Sequence, residues 1–216
     1  MDLQVLSVNI GQRRTQPKGN ALEVTGIYKS PTREPVQISR LGIREDFIGD
    51  PKFHGGPDQA IYLYGESDYA WWSKQLAQEL QPGTFGENLT LSDFESANFH
   101  IGDRLEIGSV VFEFTAPRTP CSTLARRMGD PMFVKKYRRA ERPGIYCRVV
   151  QEGILQVGQH ATLVPRTGEA VAAIDIFRDH YERDKDEGRL RRFLRAPIAS
   201  RTRADLEHDL QKLLGS

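Results

Sequence analysis

Cysteine is scarce in this sequence: Cys121 and Cys147 are the only two among 216 residues. A secreted disulfide scaffold carries more, so a reducing, cytoplasmic setting is expected. Histidine is scarce as well, and the five present are too scattered for a closed structural zinc site. No apolar run approaches the roughly 18–20 residues needed to cross a bilayer. The opening Met1-Asp2-Leu3-Gln4-Val5-Leu6-Ser7-Val8 alternates like a strand, and Arg13-Arg14 runs into Thr15-Gln16-Pro17-Lys18. Neither a membrane span nor an export signal is therefore expected. An excess of one charge is also missing: 30 Lys and Arg stand against 29 Asp and Glu, for a formal +1. That balance argues against a generic polyanion binder. Missing too are a phosphate-binding Gly-rich loop, a Gly-x-Ser-x-Gly elbow and a His-Glu-x-x-His helix.

What is present is aromatic and alternating. Nineteen Phe, Tyr and Trp side chains supply bulk for a core. At about 100–200 residues per domain, the length suits one main domain and a small appendage. Residues 4–8, 21–28, 59–64, 87–91, 104–107, 110–115, 144–150 and 160–164 alternate with the two-residue period of half-buried strands. Gly108-Ser109 marks a tight hairpin between two of them. Eight short strands, not regularly interleaved with helices, predict a mainly β protein with helices, of α+β class, its antiparallel sheet closed into a barrel or sandwich.

Helices are expected at 67–80, capped by Ser67 and ended by Gln81-Pro82-Gly83, and at 122–128 and 131–141. Tyr69, Trp72, Leu76 and Leu80 share a face of the first, as core packing rather than a binding box. Past Pro165-Arg166-Thr167-Gly168 the texture changes. Residues 169–183, 186–194 and 198–214 form three short amphipathic patterns, and the whole stretch after Gly168 holds ten basic and ten acidic residues. We expect a barrel over 1–165 and a three-helix unit over 168–214, too small for independent stability and so leaning on the barrel.

Three stretches carry chemistry. In Phe53-His54-Gly55-Gly56-Pro57-Asp58 the paired glycines let the main chain approach a ligand, and His54 and Asp58 can move protons. In Phe85-Gly86-Glu87-Asn88-Leu89, Gly86 frees the backbone and Asn88 offers a donor and an acceptor. In Ala116-Pro117-Arg118-Thr119-Pro120-Cys121-Ser122, two prolines hold the chain extended and set Cys121 at a strand-to-helix junction. Arg118 and the helix dipole favour its thiolate, which can ligate a soft metal or act as a nucleophile. Cys147 shares a strand face with Ile145 and Val149, as an inert core residue; a Cys121–Cys147 disulfide is the alternative. From Arg118 to Arg148, nine basic residues face two acids, Asp130 and Glu141. That concentration suits an anionic ligand such as a phosphorylated cofactor.

These stretches, in this order, resemble the MOSC domain, named for the C-terminal domain of molybdenum cofactor sulfurases, and more closely its bacterial YiiM subgroup. The likeness is carried by Lys29 in Tyr28-Lys29-Ser30-Pro31, by Gly42 and Asp50 ahead of His54-Gly55-Gly56-Pro57-Asp58, and by Phe85-Gly86-Glu87-Asn88-Leu89. Ile101-Gly102-Asp103 and Pro117-Arg118-Thr119-Pro120-Cys121 complete it. The tail resembles the three-helix domain of that subgroup. One segment departs from the pattern: Gly42-Ile43-Arg44-Glu45-Asp46 stands where a tight Gly-Asp is common.

The resemblance implies a β-barrel that binds molybdenum cofactor (molybdopterin), with Cys121 as metal ligand. It implies reduction of N-hydroxylated small molecules, such as N-hydroxylaminopurines, to amines, as a detoxification. The pyridoxal-phosphate domain of the sulfurases has no room here, so neither that cofactor nor sulfurase activity is implied. On this reading Cys121, His54 and Asp58 are catalytic. Lys29, Arg118 and Arg148 bind phosphate, while His54, Gly55, Gly56, Gly86 and Asn88 hold the pterin. Electrons come from a separate reductase, since no flavin or iron–sulfur motif is present. A carrier that stores the cofactor without catalysis is the alternative. A nucleic-acid-binding barrel is disfavoured because only Phe133, Tyr137 and Tyr146 interleave the basic segment.

Overall fold

The computed structural model describes residues 2–215. Thirteen strands occur among them: β1 (Asp2–Gly11), β2 (Arg14–Lys18), β3 (Ala21–Thr25), β4 (Lys29–Thr32), β5 (Val36–Ser39), β6 (Gly42–Ile43) and β7 (Ile61–Gly65). The others are β8 (Leu89–Leu91), β9 (Arg104–Ile107), β10 (Val110–Pro117), β11 (Ile145–Gln151), β12 (Gly153–Leu155) and β13 (His160–Val164). Six α-helices accompany them: α1 (Glu66–Leu76), α2 (Ser122–Arg127), α3 (Phe133–Ala140), α4 (Ala173–Asp179), α5 (Glu187–Leu194) and α6 (Ser200–Leu214).

Seven strands close a barrel in the order β1, β13, β9, β10, β11, β7 and β8, with β8 returning to β1. Only β7 and β8 run parallel within it. Alternation explains which residues face inward: Leu105 and Ile107 of β9 are buried while Arg104 and Glu106 are exposed. The Gly108-Ser109 turn joins β9 to β10 as expected, with Gly108 at φ +57°. A lone pattern says nothing about partners, and here expectation and structure part. Residues 21–25 pair with β2 in a two-stranded hairpin outside the barrel. β2 carries Pro17, which a two-stranded edge tolerates but which hides the strand from a sequence reading.

The first helix starts at Glu66 with Gly65, not Ser67, at its cap. It ends at Leu76, short of residue 80, because Ala77 turns left-handed at φ 51° and returns its N–H to the Ser73 carbonyl. Its aromatic face is core, as its spacing suggests. Trp72 is 1% exposed, lies 5.0 Å from the Phe133 ring and donates its indole N–H to the Tyr64 hydroxyl at 2.8 Å. Tyr64 stacks on Phe85 at 4.5 Å, so this cluster fixes the segment that leads into Gly86.

The C-terminal helices share the barrel's hydrophobic core through Ile176, Leu190, Phe193 and Leu206. A polar knot reinforces the contact. Arg148 of β11 donates to Asp58 at 3.0 Å, to Glu113 at 3.2 Å, and to the carbonyls of Pro197 and Ile198 at 3.2 and 3.3 Å. Asp58 accepts in turn from the backbone N–H of Ser200 at 2.8 Å and from its hydroxyl. No helix among the described residues is long and apolar enough to cross a membrane.

Truncating Trp72 to Ala should lower the free energy of unfolding by about 3–5 kcal/mol, the range for large buried aromatics. Denaturant titration measures it. A loss below about 1 kcal/mol would show that the aromatic cluster does not support the fold.

Candidate functional site

A cavity of about 330 Å³ opens between the barrel, the β2–β3 hairpin and the loop that follows β6. The hairpin and the chain after it contribute Glu23, Thr25, Ile27 and Lys29; the loop contributes Asp46 to Asp50, then His54 and Gly55. Tyr62 of β7 and Tyr146 of β11 face it, as do Gly86, Asn88, Arg118 and Cys121. Residues distant in sequence converge because β7, β8, β10 and β11 end or begin at this side of the barrel. The volume falls at the lower end of small-molecule sites, about 300–1,000 Å³.

Cys121 is the half-buried residue that caps α2, and both cysteines are free. Burial opposes ionisation of its thiol, but a hydrogen bond from His54, the charge of Arg118 and the Leu124 amide outweigh it. The pKa falls from 9.0 to about 6. The thiolate is therefore the main form at neutral pH. Cys147 is the opposite case: fully buried in the barrel core, its thiol is pushed well up by that burial.

Arg118 is 4% exposed, yet no carboxylate among the described residues forms an ion pair with it. It donates to the Phe85 carbonyl and lies 4.9 Å over the Tyr62 ring, while its Nε is buried without a partner. A buried cation with an unsatisfied donor is costly unless an anion completes it. The orphaned Nε and the adjacent thiolate thus fit a ligand that is anionic and carries a soft metal, as molybdenum cofactor does.

Lys29 lines the cavity but is already paired with Asp46. Burial lowers its pKa, against the raising effect of Asp46. Asp46 also accepts from the Gly11 N–H at 2.6 Å and the Asn88 side-chain amide at 2.9 Å. Asn88 Oδ1 in turn accepts from the Tyr62 N–H at 3.1 Å, so both ends of this amide brace the wall. Gly86, at φ +77°, gives its N–H to the Gly83 carbonyl at 3.0 Å. Its contribution is space: a Cβ there would sit 3.0 Å from Ile27.

Three expected residues lie elsewhere. Gly56, Asp58 and Arg148 are outside the cavity lining. Asp58 and Arg148 hold each other and α6. Burial works against the Asp58 carboxylate, yet the Ser200 and Arg148 contacts hold its pKa below the usual value. The basic run from Arg118 to Arg148 does not form one patch. Arg126 pairs with Glu23, Lys136 with Asp130 and Arg142 with Asp68, and Arg118 alone of the nine lines the cavity. Three cations of the wall, Lys18, Lys29 and Arg118, are balanced in number by three carboxylates, Glu23, Asp46 and Asp50, so the hollow is not broadly cationic.

Sequence reasoning missed Glu23, Asp46, Gln59 and Tyr146. Asp46 belongs to the departing loop and had no motif around it. Tyr146 was legible in principle, since the neighbour of an inward Cys147 must face the other side. Glu23 ties the hairpin to α2, accepting from Arg126 and from Thr123 at 3.1 Å. Burial opposes its ionisation, but Gln16, Arg126, Lys18 and Thr123 bring its pKa to about 2.

Iodoacetamide should alkylate Cys121 with a rate that rises through a midpoint near pH 6, leaving Cys147 unmodified. Because the folded thiol ionises below the unfolded one, its stabilising contribution is complete above about pH 9 and is lost as pH falls through about 6. His54→Leu should move the alkylation midpoint up towards the free-thiol value of about 8.5. Asp58→Asn should lower the melting temperature and leave the midpoint in place. A midpoint unmoved by His54→Leu, or moved by Asp58→Asn, would contradict these assignments.

Comparisons with known proteins agree with the geometry. Residues 50–162 match the model of the MOSC domain. The protein YflK of Bacillus subtilis (strain 168) is 32% identical over 212 residues, 97% of this chain and 96% of that one. A Gibberella moniliformis (strain M3125 / FGSC 7600) protein named Reductase is 30% identical over 166 residues, 75% of this chain but 29% of its own length. The crystal structure of YiiM from Geobacillus stearothermophilus superposes with a TM-score of 0.80 at 25% identity, covering 96% of this chain and 99% of that one. With a family match over more than half the sequence, and likeness along nearly all of it to YflK and YiiM, this chain belongs to the MOSC domain family.

Proposed function

We propose that the protein binds molybdenum cofactor and reduces N-hydroxylated small molecules, N-hydroxylaminopurines among them, to amines. The observation that carries this reading is the juxtaposition of Arg118, buried without a carboxylate, and Cys121, whose thiol ionises at about pH 6, in one cavity. A phosphorylated ligand bearing a soft metal satisfies both at once. The relative named Reductase supports a redox role.

When bound, the cofactor supplies a molybdenum centre able to take oxygen from the substrate in a two-electron step. This chain's residues do the rest. Cys121 Sγ would hold the metal, and the guanidinium of Arg118 would meet the anionic end of the ligand. Asp46 and Asn88 keep the wall rigid, and Gly86 leaves it open. The reaction converts R–NH–OH, two electrons and two protons into R–NH2 and water. The N–O bond breaks, one proton goes to nitrogen and the other completes the water. His54, in contact with Cys121, donates to the departing amine nitrogen. The two electrons come from a separate reductase.

Protein made in a cofactor-competent host should contain molybdenum by elemental analysis and reduce an N-hydroxylaminopurine anaerobically with an artificial reductant. Cys121→Ser should lose the metal. His54→Gln should retain it while turnover falls about 100-fold, the lower range for general acid catalysis. Molybdenum bound without turnover would identify a carrier and contradict the enzyme reading. Wild-type metal content and activity in Cys121→Ser would contradict the ligand assignment.

A further inference from the structure

A second, smaller cavity of about 130 Å³ adjoins the first. His54, Gln59 and Tyr146 line both, so these three side chains form the partition between them. The far side of the smaller cavity is built by the C-terminal helices, with Ile176 of α4 and Thr202 and Leu206 of α6, against Phe53 and Pro117. Phe53 and Tyr146 contribute aromatic side chains to its lining. Around it, Asp179, Asp205 and Asp209 outnumber Lys185 and Arg201, which disfavours an anionic occupant.

Gln59 stands out within the partition. Its Oε1 is shielded from solvent and accepts no hydrogen bond. An unmade bond to a buried acceptor is expensive, and a ligand N–H removes the cost. The backbone of Gln59 is also held in advance. It ends a one-turn 3-10 helix, Pro57–Gln59, whose Asp58 is clamped by Arg148 and Ser200 and whose Asp58 carbonyl accepts from Thr115 Oγ1 at 2.6 Å. Asp58 is thus a positioning residue for the wall of the site.

We infer that the smaller cavity is the substrate subsite and that Gln59 determines specificity, its Oε1 accepting an N–H from a flat, uncharged heteroaromatic hydroxylamine. The ring lies between Phe53, Tyr146 and α6, and the exocyclic nitrogen sits at the partition, its N–H on Gln59 Oε1 and its oxygen directed past His54 towards the larger cavity. This inference rests on the proposed function, and it gives the C-terminal helices a part in binding. It also limits the substrates to those that keep an N–H on the reacting nitrogen.

The test uses the full chain from a cofactor-competent host, with molybdenum measured on every preparation, so that failure of the cofactor reading appears in the metal content and not in the binding. Adenine, which carries an exocyclic N–H, and purine, which lacks it, are titrated by calorimetry. Wild type should bind adenine about tenfold more tightly than purine, the gain from one well-made hydrogen bond at a buried acceptor. Gln59→Leu should level the two, and Gln59→Glu, which keeps an acceptor oxygen, should retain the preference. Thr202→Trp, filling the smaller cavity from α6, should abolish adenine binding while the alkylation profile of Cys121 stays unchanged. Equal affinities in wild type, no binding of either base, a preference surviving in Gln59→Leu, or adenine bound normally by Thr202→Trp would each overturn the inference.

Discussion

A guanidinium buried without a carboxylate organises this protein. Arg118 is 4% exposed and is met by the Phe85 carbonyl, the Tyr62 ring and the neighbouring Cys121 sulfur. A charge taken out of water needs compensation close at hand, and each compensating group here is placed by a different part of the fold. The aromatic cluster around Trp72 fixes Phe85. Asn88 ties down the backbone of Tyr62. The turn from β10 into α2 brings Cys121 up beside the guanidinium. The same charge that burial makes costly lowers the thiol pKa, and the unsatisfied Nε leaves one position for a ligand anion.

The sequence shows some of this and conceals the rest, for physical reasons. Alternation is local, so the strand at 104–107 and the hairpin through Gly108 were legible from a few residues. Pairing is not local, so the 21–25 segment was visible as a strand but not as part of a hairpin beside the cavity. His54, Gly55, Gly86 and Cys121 stood out because glycine, histidine and cysteine in such contexts have few other uses, and the structure does gather them. Asp58 and Arg148 have equally suitable chemistry, yet they meet each other and α6 instead. Nothing in a one-dimensional pattern separates an acid that faces a ligand from one that faces an arginine.

The basic segment shows the same point through charge. Nine Lys and Arg between Arg118 and Arg148 look like an anion site when counted along the chain. In space they do not act together: Arg126 pairs with Glu23, Lys136 with Asp130, Arg142 with Asp68, and Arg148 with both Asp58 and Glu113. Local charge density in sequence is a poor guide where strands and helices point successive residues apart. What distinguishes Arg118 is burial without an acidic partner, a property only the fold reveals. The carboxylates that share the cavity wall also matter: Asp46 neutralises Lys29 and leaves Arg118 as the cation free to meet a ligand.

X-ray absorption at the molybdenum edge, on cofactor-free protein loaded with molybdenum cofactor, tests most directly whether this charge pair was built for a metal. The account predicts a cysteine sulfur bound to molybdenum in addition to the dithiolene sulfurs, with that scatterer absent when Cys121 is alkylated before the cofactor is added. A metal environment with no protein sulfur, unchanged by blocking Cys121, would contradict it.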